Sequence, residues 1–214
     1  RNAIADYING KYSLGAEPQD IYMTAGAAAS LTISLKSVAC QGEEVIVFTP
    51  YFPEYKVFIE NSGAVTVEVP VDKNDFQIDF DALEDAFSEK TAAVIINSPN
   101  NPTGAVLTEE TLKKLGAFLS EKEQKYDKEI YLISDEPYRE LVYGDVKLAF
   151  PANYYDDTII CYSYSKSLSL PGERIGYIMV SPKAKSRRKL FDTVCGSGRS
   201  LGFVCAPSLL QYVI

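Results

Sequence analysis

The residues best suited to chemistry in this sequence are a lysine, an arginine, an aspartate and a tyrosine. In SYSKSLSLPGERIG, residues 163–176, Lys166 follows an apolar run and Arg174 comes eight positions later. A neutral lysine is both nucleophile and base, and an apolar site beside cationic groups favours that form. An arginine offers a planar fork for a phosphate or carboxylate. In SDEPYREL, residues 134–141, Asp135 and Tyr138 supply a carboxylate and a phenol. The chain has no histidine, so Ser-His-Asp triads, Cys-His pairs and histidine metal sites are excluded. Acid–base work must fall to lysine, carboxylate, tyrosine, a cofactor or water. Four cysteines, Cys40, Cys161, Cys195 and Cys205, are not in CxxC spacing, which gives no zinc or dithiol motif. No metal is expected.

The elements that must position these groups follow one pattern, strand then loop then helix. Apolar, β-branched runs predict strands over 20–24, 44–49, 64–70, 91–98, 129–134, 158–163 and 174–180. Helical spacing predicts helices over 27–39, 53–61, 79–89 and 108–126, then over 183–195 and 201–213, with a further helical segment at 1–12. Continuous Val/Ile-rich strands between amphipathic helices imply an α/β fold. Its mostly parallel sheet is covered by helices on both faces, a three-layer α/β/α arrangement. One domain spanning 1–214 is expected.

In such sheets ligands bind at the carboxyl ends of the strands. After the successive strands come Ala25-Gly26-Ala27-Ala28, Pro50-Tyr51-Phe52, Pro99-Asn100-Asn101-Pro102-Thr103-Gly104, Asp135-Glu136-Pro137-Tyr138 and Tyr164-Ser165-Lys166. Each has an ordinary structural reading by itself: a helix start, core aromatics, a turn, a cap, a snorkelling lysine. Those readings do not account for their sharing one sheet edge. A single cofactor does. Small residues at a helix start admit a phosphate to the backbone N–H groups. An aromatic can stack on a planar ring, an aspartate can hold a ring nitrogen protonated, and Asn101 and Tyr138 can bond a phenolate oxygen. A lysine can condense with an aldehyde. These are the requirements of pyridoxal 5′-phosphate.

With these residues in view, the chain resembles the class I/II aminotransferases, of the fold-type-I pyridoxal phosphate enzymes. SYSKSLSLPGERIG resembles their lysine signature, NNPTG their Asn-Pro-x-Gly loop and SDEPYREL their Asp-x-x-Tyr segment. PYFPEY resembles their aromatic loop, and TAGAAASL their phosphate-binding helix start. The order and approximate distances of all five agree, over essentially the whole chain. The resemblance implies the family's large cofactor domain and these roles. Lys166 carries the cofactor as a Schiff base and shuttles the proton. Asp135 pairs with the pyridinium nitrogen. Asn101 and Tyr138 hold the 3′ oxygen. Phe52 stacks on the ring. Ser163, Ser165 and Arg174 bind the phosphate at the helix start Gly26-Ala27-Ala28. Ala27 and Ala28 offer only backbone there, which places more of the phosphate binding on Arg174 and Ser163.

The reaction implied is amino transfer from an L-amino acid to a 2-oxo acid. A lyase on the same fold, and a sensor domain of a transcriptional regulator, are the alternatives, because the cofactor motifs barely separate them. The chain starts at Arg1 without an initiator Met and reads as a fragment or processed chain. The family implies a longer parent, with a smaller domain beyond Ile214 supplying an arginine for the substrate carboxylate, and a homodimer.

Composition agrees with a globular protein, at 46% apolar and 23% charged residues. The net charge of −8 opposes nucleic-acid binding. The one basic cluster, KAKSRRK at 183–189, reads as the solvated face of a helix. No run has the length of a membrane-spanning helix, and the cysteine usage fits a reduced, cytoplasmic setting.

Overall fold

The computed structural model describes residues 1–214. Seven strands form one sheet: β1 (Ile21–Thr24), β2 (Glu44–Thr49), β3 (Val65–Pro70), β4 (Thr91–Asn97), β5 (Tyr131–Asp135), β6 (Thr158–Ser163) and β7 (Gly176–Val180). Their spatial order is β1-β7-β6-β5-β4-β2-β3. The block from β3 to β6 is parallel, and β7 runs antiparallel to both β6 and β1. The strands β2, β4, β5 and β6 therefore end along one edge.

Eight helices accompany the sheet: α1 (Asn2–Tyr12), α2 (Ala27–Val38), α3 (Glu54–Ser62), α4 (Phe80–Ala86), α5 (Glu109–Tyr126), α6 (Tyr164–Ser167), α7 (Arg187–Ser200) and α8 (Ser208–Val213). Strand alternation divides the core between the two faces. Ile159 and Cys161 of β6 join Leu31 and Leu35 of α2, Ile59 of α3 and Val194 of α7 on one face. Ile160 and Tyr162 of the same strand join Ile4 and Ile8 of α1 on the other. Farther along that second face, Leu112, Leu115 and Leu119 of α5 pack with Leu83 of α4 against Val94 and Leu132. The three-layer α/β/α architecture is as the sequence predicts. No helix is long and apolar enough to cross a membrane.

Local chemistry moves several boundaries. Thr108 caps α5 by accepting the Thr111 amide at 3.1 Å. Asp79 likewise caps α4, which stops at Ala86 rather than 89, where the Ser88 amide turns to the Thr91 hydroxyl. The strand predicted from Arg174 begins only at Gly176, because Arg174 adopts a left-handed φ of 53° that a strand cannot hold. The helix predicted from 183 starts at Arg187. Ahead of it, the Lys185 amide is held by Asp157 at 2.9 Å in a turn. The basic cluster is thus not simply a solvated helix face: Lys185 pairs with Glu123 at 2.5 Å, and Arg187 with Glu17 and Asp20. Of the predicted helix 201–213, only Ser208–Val213 is helical. Gly202 has turned to φ 86° by then, and Pro207 stands as N-cap.

Candidate active site

The strands β4, β5 and β6 deliver their last residues, and β1 and β2 the segments that follow them, to one place. Around it lies a cavity of about 300 Å³ lined by Ala27, Ala28, Leu31, Phe52, Asn97, Asn101, Asp135, Pro137, Tyr138, Ser163, Ser165, Lys166, Pro171 and Arg174. All the site residues predicted from sequence are in this lining except Gly26. Gly26 stands beside it as the N-cap of α2, at φ 91°.

The end of the cavity at the start of α2 is built from three segments. Gly26 opens α2, whose first backbone N–H groups have no partner within the helix. The Arg174 guanidinium lies against Gly26: a Cβ there would fall 2.8 Å from Arg174 Nη2. The positive φ of Gly26 favours glycine there, and its bare Cα lets the arginine lie close. Arg174 Nη1 donates to the Pro171 carbonyl at 2.8 Å, which fixes the fork. Gly176, at the start of β7, makes the third approach. A Cβ on it would lie 2.2 Å from the Tyr162 carbonyl and 3.0 Å from the Gly26 Cα. The turn after β1 therefore rests directly on β7.

Ser163 ends β6 and caps the single turn of α6, accepting the Ser165 amide at 3.2 Å. The two hydroxyls lie 2.7 Å apart. That turn places Lys166 at the cavity, its Nζ 5.7 Å from the centroid of the Tyr138 ring. Sequence patterning places Lys166 at a strand end. The structure sets the lysine within a single helical turn that follows the strand, too short for periodicity to register.

The opposite end is built on Asp135, the last residue of β5 and almost fully buried. Burial, with the adjacent Glu136 carboxylate adding to it, pushes its carboxyl up to about 7, against the lowering effect of a hydrogen bond from Tyr55. That bond, Tyr55 O–H to Asp135 Oδ2, is 2.6 Å long. Asp135 Oδ1 is buried with no hydrogen-bond partner. Buried acceptors are nearly always satisfied, so an orphaned carboxylate oxygen in a cavity wall marks a place for a donor from outside the chain. Tyr138 carries a phenol raised by burial and by Asp135, and Asn101 Nδ2 lies 3.5 Å from its oxygen.

Two residues in this arrangement escape the sequence reading. Asn97 ends β4 beside Asp135 in register. Its Nδ2 donates to the Asp135 carbonyl at 2.8 Å, and its Oδ1 accepts the Asn101 amide at 2.6 Å, bolting the NNPTG loop to the sheet. Its signal was a polar residue closing an otherwise apolar strand. Tyr55, in the first turn of α3, sits three positions after Phe52, and its amide donates to the Phe52 carbonyl at 3.0 Å. Their rings meet edge to face at 5.6 Å.

The site therefore offers an anion cup, an aromatic wall, an unsatisfied carboxylate oxygen, an amide–phenol pair and a primary amine. Known proteins resemble this chain along nearly its whole length. The family model described as "Aminotransferase class I and II" matches residues 1–211. A probable aspartate/prephenate aminotransferase of Aquifex aeolicus is 39% identical over 183 residues, 83% of this chain and 45% of that protein. A (5-formylfuran-3-yl)methyl phosphate transaminase of Methanocaldococcus jannaschii is 33% identical, over 99% of this chain and 51% of that protein. An amino transferase crystal structure from Eubacterium rectale superposes with a TM-score of 0.97 at 52% identity, covering 98% of this chain and 53% of that one. The chain spans about half the length of the relatives it matches. It belongs to the class I and II aminotransferase family.

Proposed function

We propose that this chain is the cofactor-binding domain, residues 1–214, of an enzyme that moves an amino group from an L-amino acid to a 2-oxo acid with pyridoxal 5′-phosphate. The observation that carries the reading is the orphaned Asp135 Oδ1 in the wall of the cavity that also holds Lys166. The residues fit the group. Arg174, the hydroxyls of Ser163 and Ser165 and the first N–H groups of α2 would hold its phosphate. Asp135 would accept a hydrogen bond from the protonated ring nitrogen. Asn101 and Tyr138 would hold the ring's phenolic oxygen, and Phe52 would stack on the ring.

When bound, the cofactor supplies an aldehyde that lysine can capture and an electron sink for the bond to be broken at the amino acid's α-carbon. The chain's own residues do the rest. Lys166 would be the nucleophile that captures the aldehyde, and its Nζ, when free, would be the base that takes the α-proton and the acid that gives it up. The carboxylate of Asp135 would favour positive charge on the ring. Leu31 and Phe52 add apolar surface to the cavity lining. A homodimer in a cytoplasmic setting completes the proposal, supported by the family.

The test supplies L-amino acids and 2-oxo acids with pyridoxal 5′-phosphate and follows products by mass spectrometry. New amino acid formed only with both partners present is the expected result. Pyruvate or ammonia released without an oxo-acid partner would instead mark a lyase.

A further inference from the structure

We propose that Tyr55 is a positioning residue for the site: its O–H fixes one oxygen of Asp135 and thereby reserves the other, Oδ1, for the ring nitrogen of the bound cofactor. This rests on the cofactor reading above. Tyr55 is buried in the middle of the layer formed by α2, α3 and the sheet. Its O–H is the one hydrogen-bond donor to the Asp135 side chain, at 2.6 Å on Oδ2, and Oδ1 has none. The terminal torsion of an aspartate is broad and roughly two-fold. Without the clamp, neither oxygen is distinguished and the carboxylate plane is free to turn.

The clamp is itself held. The Tyr51 ring stacks on Tyr55 at 6.2 Å and 9° between planes, and Phe52 meets it edge on. One helix start thus carries both the wall residue Phe52 and the group that orients the carboxylate. Donation also favours the ionised form of Asp135, which burial opposes and which a protonated ring nitrogen requires. Glu136, Tyr138 and Cys161 lie near Asp135, Lys166 and Arg174 share its cavity, and none of them donates to its side chain. Tyr55 does not reach the cavity lining, so its effect runs through Asp135.

The test uses the 214-residue chain and the variant Tyr55→Phe, which keeps the ring and removes the hydroxyl. Binding of pyridoxal 5′-phosphate is compared with binding of its analogue carrying CH in place of the ring nitrogen. Tyr55→Phe is expected to weaken the natural cofactor roughly tenfold, as for loss of one hydrogen bond to a charged group, and to leave the analogue unchanged. In an Asp135→Asn background the same substitution is expected to change neither. Equal weakening of both ligands would reduce Tyr55 to packing and overturn the proposal, as would an unchanged affinity for the natural cofactor. In the ligand-free chain, the carbon-13 carboxyl titration of Asp135 is expected to move upward in Tyr55→Phe; no movement would likewise overturn it. An unsubstituted chain that binds both ligands alike, with that titration still shifted, would instead refute the pairing of Asp135 with the ring nitrogen.

Discussion

Asp135 and Glu136 are adjacent carboxylates, both almost fully buried at the end of β5, and they have opposite fates. Strand alternation sends them to opposite faces of the sheet. Glu136 enters the α1 side and is fully partnered. Its Oε1 accepts the Ser134 hydroxyl at 2.9 Å, and its Oε2 accepts Arg139 Nη1 at 2.8 Å. Arg139 is as buried as Glu136. It also donates to the Tyr177 hydroxyl at 2.9 Å and lies 4.4 Å over the Tyr162 ring. Asp135 enters the cavity side and keeps one oxygen without a partner. Burial raises both carboxyls, so burial alone does not separate them. Completeness of hydrogen bonding does: each Glu136 oxygen has a partner, whereas Asp135 keeps Oδ1 open in the cavity wall.

The sharpest way to break this contrast is to strip the partner from Glu136. Arg139→Ala leaves a buried carboxylate uncompensated and is expected to cost about 3–5 kcal/mol, read from urea unfolding. A cost under about 1 kcal/mol, the scale of exposed ion pairs, would mean that the pair is not a buried structural one.

Asp135→Asn should act in the opposite direction. The carboxyl titrates near 7 in the folded chain, above its ordinary value of 3.8. The folded state then holds the proton more tightly than the unfolded state across that window. Stability from this group is fully present below the unfolded value and is lost as pH rises through about 7. The ligand-free Asn variant is therefore expected to gain stability over the parent as pH rises from 4 to 8, by on the order of a few kcal/mol. A pH-independent difference would show that Asp135 does not titrate high.

A smaller effect is expected at the anion cup. Gly176→Ala drives a Cβ against the Tyr162 carbonyl and Gly26. It should cost about 1–3 kcal/mol as overpacking and weaken phosphate binding at the site. Inorganic phosphate titration and thermal melts read the two together.

Much of the site was legible because the chemistry-bearing residues follow directly on apolar strands, and parallel strands must end on one edge. Lys166, Asp135, Asn101 and the Gly26 turn were placed that way. Tyr55 was not, because its bond to Asp135 joins residues 80 apart in sequence and leaves no local signature. Nor was Arg174's left-handed backbone, which is set by its packing against Gly26 and its bond to Pro171 rather than by propensity. The α7 boundary was missed for a like reason: Lys185 is captured by Asp157 from another element before helical spacing can take hold.

The most direct measurement is borohydride reduction of the chain loaded with pyridoxal 5′-phosphate, followed by peptide mass mapping. The expected result is a visible absorbance band that reduction abolishes, a single pyridoxyl adduct on Lys166, and loss of both in Lys166→Ala. An adduct on another lysine, or a band that survives in Lys166→Ala, would contradict it.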